Sequence, residues 1–347
     1  MSLKHRIAIG MAGVTLAGAC YFGQPRIGAP EPAFGPKPAL ARNLVSEYDK
    51  STDPFEADGI IKKIAIKAKA GSQLESAKKL HAMLKVSATG GLKLVSSGSG
   101  TRDDRPPRTG AQALKLGGDC SDHAYAFVAV FQEMKISSGI LIFDLGGGLM
   151  HTLPYAEIDG RKHIVDSQSE AFGTGAAEVK GKRVEFTYEQ AKKAKSGVRL
   201  SRESAAPQAA GAYHAEWGNF FKGQKDLEMK ALEAYSEALR RDPKDSYAEG
   251  QIDNMKGRLV TKLYKEALKA FKGKEWQKAA DLFEKAISLY PKSGGTDNLV
   301  ALLEGAAVCR FNSGSYEKAA EHYDALFAVT GDEKYKKQAE EARSKAK

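Results

Sequence analysis

Residues 117–131 combine a glycine turn with the start of an apolar helix. Gly117 and Gly118 allow the chain to turn sharply, and Asp119 is a residue type preferred at a helix N-cap. Small and apolar side chains then recur at helical spacing, at Ala124, Phe127, Val128 and Phe131. The pattern predicts a helix that begins at Cys120 and lies buried at the centre of a domain.

A β-hairpin is predicted further along the chain. Two apolar runs flank the dipeptide 159–160, Asp-Gly, which is a strong signal for a two-residue turn. In the register set by this turn, His151 lies opposite Gln168 and Asp166 lies opposite Leu153. His151 and Asp166 are then diagonal neighbours on one face of the sheet, roughly 7–8 Å apart at the backbone.

The neighbouring segments predict the rest of a mixed domain. Residues 55–85 show helical patterning, 140–143 form an apolar strand, 183–188 a further strand and 188–195 a short helix. A polar loop spans 96–110. Pro154 cannot donate a hydrogen bond to a neighbouring strand, which favours an edge position for its strand.

Cys120, His151 and Asp166 together are typical of a thiolate nucleophile. A cysteine in the first turn of a helix lies near the positive end of the helix dipole, which favours the reactive thiolate. A histidine supplies the base and an aspartate orients it. Taken alone, Cys120 also fits a small buried hydrophobic residue. His123 is interpreted as a structural or cleft-lining residue, and His163 alternates to the opposite strand face from Asp166.

These motifs resemble the transglutaminase-like cysteine core, which belongs to the papain-like group. The resemblance is carried by residues 108–110, 117–124, 151–152 and 165–167. It implies an α+β domain over 53–200, in which the cysteine helix packs on an antiparallel sheet. It also implies that Cys120 is the nucleophile, His151 its base and Asp166 the residue that orients His151. No cofactor or metal is implied.

The N-terminus has the features of an export signal. Lys4, His5 and Arg6 precede an uncharged run over 7–22, so residues 1–20 are interpreted as a signal peptide. Residues 16–20 also resemble a bacterial lipoprotein cleavage box, in which Cys20 would be lipidated; an ordinary buried or signal-anchor cysteine is the alternative. Five prolines follow in the tether predicted at 21–52: Pro25, Pro30, Pro32, Pro36 and Pro38. The expected location is the bacterial periplasm or cell envelope, with membrane association through the N-terminus.

Composition limits the remaining partners. The formal net charge is +10, but most of the excess lies in the first hundred residues and no dense basic stripe carries interleaved aromatic residues. We therefore predict no nucleic-acid partner. With Cys20 and Cys120 assigned, Cys309 has no partner for a structural disulfide, and no His/Cys cluster has metal-ligand spacing.

The C-terminal part carries an internal repeat. The positions Ala231, Tyr235, Ala238 and Pro243 recur 48 residues later as Ala279, Phe283, Ala286 and Pro291, and more weakly as Ala319, Tyr323 and Leu326. The pattern resembles the tetratricopeptide repeat, whose period is about 34 residues. It predicts a linker at 201–212 and an all-α repeat domain at 213–347 that binds a protein or peptide. A plain helical extension is the alternative.

The sequence thus predicts an exported, cysteine-dependent enzyme that acts on an amide bond. Water as the second substrate gives a peptidase or amidase, and an amine gives transglutaminase-type acyl transfer. The same triad serves both outcomes. The alternative is a non-catalytic envelope scaffold built on the same fold.

Overall fold

The computed structural model describes residues 48–93, 105–145, 150–179, 182–194, 197–224 and 226–347. The predicted signal peptide, Cys20 and most of the predicted tether lie outside these residues, as do most of the 96–110 loop and residues 146–149. The described chain forms two compact units, 48–249 and 250–347.

Four helices open the first unit. They are α1 (Gly59–Ala68), α2 (Gln73–Leu84), α3 (Gly110–Leu116) and α4 (Cys120–Glu133). Each N-cap side chain accepts backbone N–H groups of its helix: Asp58, Ser72, Thr109 and Asp119. The helix predicted from Cys120 is confirmed, and its residues 121–131 are all buried.

An antiparallel sheet covers one side of α4. The strands are β1 (Ser137–Asp144), β2 (Met150–Ile158), β3 (Arg161–Ile164), β4 (Thr174–Val179), β5 (Lys182–Thr187) and β6 (Arg199–Ala205), with a short helix α5 (Tyr188–Lys192) after β5. Four of the strands form one sheet in the order β3-β2-β1-β6, and β4 and β5 form a separate hairpin. α4 packs on β1 and β2. The unit is therefore α+β, as predicted.

The predicted hairpin register is confirmed where the strands pair. Asp159 and Gly160 both have positive φ, at 51° and 71°, and Tyr155 pairs with Ile164 in the expected register. The ladder ends there because Pro154 accepts a hydrogen bond from the Val165 N–H (3.0 Å) but has no N–H to return. Asp166 therefore lies in a loop rather than on a strand.

The edge position predicted from Pro154 is wrong. β2 is an inner strand, and Pro154 pairs with Ile140 on β1. The sheet tolerates this proline because β3 on its other side is short.

The linker predicted at 201–212 is instead regular structure. Residues 201–205 belong to β6, which pairs with β1, and the next residues begin α6 (Ala206–Lys222). α6 and α7 (Glu228–Arg241) both fall in the first unit, so the compact C-terminal unit begins later than the predicted residue 213. The reason is packing: Tyr213 of α6 meets Tyr125 of α4 edge to face, with ring centroids 5.7 Å apart.

Tyr48 fastens the first described residues to α6. Its ring is buried and packs against the rings of Trp217, Phe221 and His214 at centroid distances of 5.4–5.9 Å. Its hydroxyl lies 3.4 Å from His214 Nδ1. The end of the predicted 21–52 tether is therefore part of the folded core. Burial, together with the nearby Arg241 guanidinium, lowers the pKa of His214 to about 4, although Glu237 opposes the shift.

This buried histidine predicts acid sensitivity. Because the folded-state pKa is below the ordinary value of about 6.5, the unfolded state binds the proton first, and stability is lost as pH falls from about 6.5 to about 4. His214 contributes up to about 3 kcal/mol of this loss. Urea unfolding across this pH range measures it. Burial also lowers the pKa of the less buried His163, so the pH dependence should be reduced more in His214→Gln than in His163→Gln. Equal slopes in the two variants would contradict the assignment.

The second unit is helical throughout its described residues, 250–347. It contains most of α8 (Ser246–Lys272), then α9 (Trp276–Ser288), α10 (Thr296–Asn312), α11 (Tyr316–Thr330) and α12 (Glu333–Ala346), and from α9 onward each helix packs on the next. The repeat positions predicted to be core are buried in both units: Ala231, Tyr235, Ala238, Ala279, Phe283, Ala286, Ala319, Tyr323 and Leu326. None of the helices among the described residues combines the length and the hydropathy that a membrane span requires.

Two helical glycines provide a test of this packing. A Cβ on Gly305 of α10 would lie 2.6 Å from the Phe283 ring, whereas a Cβ on Gly250 of α8 meets nothing within 4 Å. Gly305→Ala should therefore destabilise the protein by about 1–3 kcal/mol, because a packed ring must move. Gly250→Ala should stabilise it by about 0.5–1 kcal/mol through helix propensity. Urea unfolding of both variants checks the opposite signs; a stabilising Gly305→Ala would rule out close packing of α9 and α10.

Candidate active site

Cys120 occupies the first position of α4 and is partly exposed. The Asp119 carboxylate accepts the N–H groups of Ser121 (3.0 Å) and Asp122 (3.3 Å), and the Asp119 carbonyl accepts that of His123 (3.0 Å). Among the described residues, the helix start thus leaves the Cys120 N–H without a partner. This N–H points outward from the positive end of the helix dipole.

The glycine turn before the cysteine is confirmed. Gly117 has φ of 75°, and a Cβ there would lie 2.3 Å from the Lys93 carbonyl oxygen. Gly118 donates its N–H to that same oxygen at 2.9 Å. Only glycine suits position 117, since it combines left-handed backbone with close backbone contact.

Two arginines stabilise this turn: Arg105, which the sequence analysis missed, and Arg108, which belongs to the segment that carries the family resemblance. Arg105 pairs through Nη2 with Asp119 (2.9 Å) and with Asp122 (2.6 Å), whose side chain is fully buried. The Arg108 guanidinium donates to the carbonyls of Leu116 and Gly117, and its backbone N–H donates to Asp122 Oδ1 (2.9 Å). The positive charges offset the two carboxylates in the first turn of α4, which would otherwise oppose a thiolate.

His151 lies on β2 opposite Phe143 and is 8 % exposed. Burial alone would lower the pKa of its imidazole, but hydrogen bonding and charge from Cys120, the charge of Asp166 and the Ala176 backbone outweigh burial and raise it. Its Nε2 is buried and makes no hydrogen bond of ordinary geometry. Cys120 therefore acts on His151 through proximity and charge rather than through a well-formed hydrogen bond, and it shifts the imidazole pKa upward.

Asp166 is buried just beyond β3, but its carboxylate is held by the backbone. Oδ1 accepts the Gln168 N–H and Oδ2 accepts the Ala176 N–H of β4, each at 2.8 Å. No hydrogen bond between Asp166 and the His151 imidazole is found in the described part of the chain. The predicted strand pair between His151 and Gln168 does not form, because β3 stops at Ile164. Asp166 therefore influences His151 through its charge.

Three further histidines surround or flank this loop. His81 Nε2 bonds the carbonyls of Asp166 (3.0 Å) and Ser169 (3.1 Å), a contact between distant segments that the sequence does not signal. His123 Nδ1 lies 2.8 Å from Ser167 Oγ, and its side chain is buried. His163 stacks on Phe172, with centroids 5.5 Å apart.

The other cysteine in the described chain has none of these features. Cys309 is fully buried on α10, and burial raises its pKa to about 12. The described residues also contain no group of three or more His, Cys, Asp or Glu side chains that could hold a metal ion.

No protein-family model matches the chain, and no curated protein sequence matches it significantly. The interpretation of the site therefore depends on its own residues and geometry.

The buried ion pair beneath the cysteine provides a stability test. Arg105→Ala leaves the fully buried Asp122 carboxylate without its counter-charge, and the free energy of unfolding should fall by about 3 kcal/mol. Lys115→Ala removes the exposed Lys115–Asp58 pair and should cost less than about 1 kcal/mol. Urea unfolding of both variants at pH 7 measures the difference. Similar values for the two would mean that Arg105 does not compensate the buried charge.

Proposed function

We propose that the protein is a cysteine-dependent enzyme that acts on amide bonds, with a transglutaminase-like core and Cys120 as nucleophile. The supporting observation is the pairing of a helix-start cysteine with a buried histidine whose pKa that cysteine raises. A raised imidazole pKa beside a thiol favours the thiolate–imidazolium pair, which is the reactive form of cysteine hydrolases.

In the proposed reaction, the Cys120 Sγ attacks the carbonyl carbon of the amide. The C–N bond then breaks, and the amine leaves with the proton carried by His151, so that a thioester remains on Cys120. Water or a second amine attacks the thioester, His151 takes the proton of that nucleophile, and the thiolate is released. Water gives hydrolysis and an amine gives acyl transfer. We favour hydrolysis.

The first turn of α4 supplies the proposed oxyanion donor. The tetrahedral intermediate places a negative charge on the former carbonyl oxygen, next to the nucleophile. The Cys120 N–H is the one first-turn donor that the cap leaves over, and it lies at the positive end of the helix. Asp166 supports the imidazolium by charge from within its backbone cradle.

The wider setting of the activity is part of the same proposal. Export, a lipid anchor at Cys20 and the tether would hold the enzyme at a bacterial envelope. The helical repeats would bring a protein or peptide substrate to the cysteine. The buried small and aromatic residues of α9 and α11 support the repeat interpretation, because small residues let helices pack closely.

Alkylation kinetics test the proposal. Iodoacetamide at pH 7 should modify Cys120 much faster than Cys309, whose burial and pKa of about 12 protect it. His151→Gln should slow the modification of Cys120 by at least about tenfold. His163→Gln, a matched change on the same hairpin, should leave the rate unchanged. Rates are followed by peptide mass spectrometry, and an amide-directed thiol probe should show the same dependence.

Other outcomes would point to the interaction scaffold. Equal labelling of Cys120 and Cys309 in the folded protein, or labelling of Cys120 that does not depend on His151, would remove the basis for an enzyme.

A further inference from the structure

We propose that His123 is a positioning residue for the Cys120–His151 pair, acting through Ser167 and the loop that carries Asp166. The proposal rests on the enzyme function above. It concerns a histidine that the reaction itself does not use.

A side-chain contact links α4 to the Asp166 loop, residues 165–169. His123 lies one helical turn after Cys120, so both side chains lie on the same side of α4. Its Nδ1 is 2.8 Å from Ser167 Oγ, and both residues are buried. The helix that carries the cysteine is thus bonded directly to the residue next to Asp166.

The tautomer of His123 determines which atom donates in the bond to Ser167. Nε2 lies 3.1 Å from the Lys93 carbonyl oxygen, which can only accept, so Nε2 carries the hydrogen. Nδ1 is then the acceptor, and the Ser167 hydroxyl donates to it. Burial lowers the pKa of His123, which favours this neutral form.

The Asp166 loop connects the His123–Ser167 bond to His151. Asp166, adjacent to Ser167, accepts the Ala176 N–H at 2.8 Å, and the Ala176 backbone and Asp166 charge both favour the protonated His151. A series of interactions therefore connects the two ends of the site. His123 bonds Ser167, the neighbouring Asp166 bonds Ala176, and Asp166 and Ala176 both act on His151. A change at the His123–Ser167 bond should therefore alter the electrostatics of His151.

Two substitutions of His123 each retain one of its two hydrogen bonds and remove the other. Asn places an acceptor where Nδ1 was and retains the bond to Ser167, whereas Gln places a donor where Nε2 was and retains only the bond to Lys93. Ser167→Ala removes the same bond from the other side with little change in volume. The three variants together isolate the bond from the general packing of the ring.

The readouts are the His151 pKa, from NMR titration of its ring protons, and the rate of Cys120 alkylation. His123→Gln and Ser167→Ala should each lower the His151 pKa and slow alkylation by about tenfold. His123→Asn should stay close to the unsubstituted protein. The double variant His123→Gln/Ser167→Ala should show the same His151 pKa and alkylation rate as either single variant, because both substitutions remove the same hydrogen bond. Thermal unfolding confirms that each variant is folded.

Two results would overturn the proposal. One is an unchanged His151 pKa in both His123→Gln and Ser167→Ala. The other is equal damage from the Asn and Gln variants, which would assign His123 a purely structural role beside Lys93. The NMR readout needs no activity: if the His151 pKa responds as expected while unsubstituted Cys120 reacts no faster than Cys309, the positioning role holds and the proposed enzyme function fails.

Discussion

The central constraint on the first unit is a helix that is buried on every side. Residues 121–131 of α4 are all inaccessible, so the rest of the unit must cover it all round. β1 and β2 pack on it, as do α1 and α3. Such a helix meets the surface only near its ends. The partly exposed residue at its start is Cys120, so the burial that stabilises the domain also leaves this cysteine as the accessible group of the proposed site.

A buried helix start must also satisfy its own N–H groups. Asp119 and Asp122 do so as a reciprocal capping box, which brings two carboxylates into the first turn. Carboxylates suit the helix dipole but disfavour a neighbouring thiolate. Arg105 resolves this conflict by pairing with both, so that the helix is capped without a large uncompensated negative charge beside Cys120.

Local patterns in the sequence predicted the parts of the site that depend on neighbouring residues. The Gly-Gly-Asp start of α4 and the Asp159-Gly160 turn are encoded within a few residues, and both formed as expected. The contacts of Arg105 and His81 join segments far apart in sequence, and no periodicity marks them. The boundary near residue 213 was misplaced for a similar reason, because the repeat pattern begins in helices whose packing belongs to the first unit.

The position of Asp166 shows that an aspartate need not touch a histidine to support it. Charge attraction acts over several ångströms in a partly buried site, so the Asp166 carboxylate favours a protonated His151 without a hydrogen bond between them. A carboxylate bonded to two backbone N–H groups cannot turn away, so this attraction has a fixed direction. Burial, in turn, makes the imidazolium costly without such support. In the proposed reaction, fixed groups rather than solvent would support the proton on His151, so its transfer to a leaving amine would need little reorganisation.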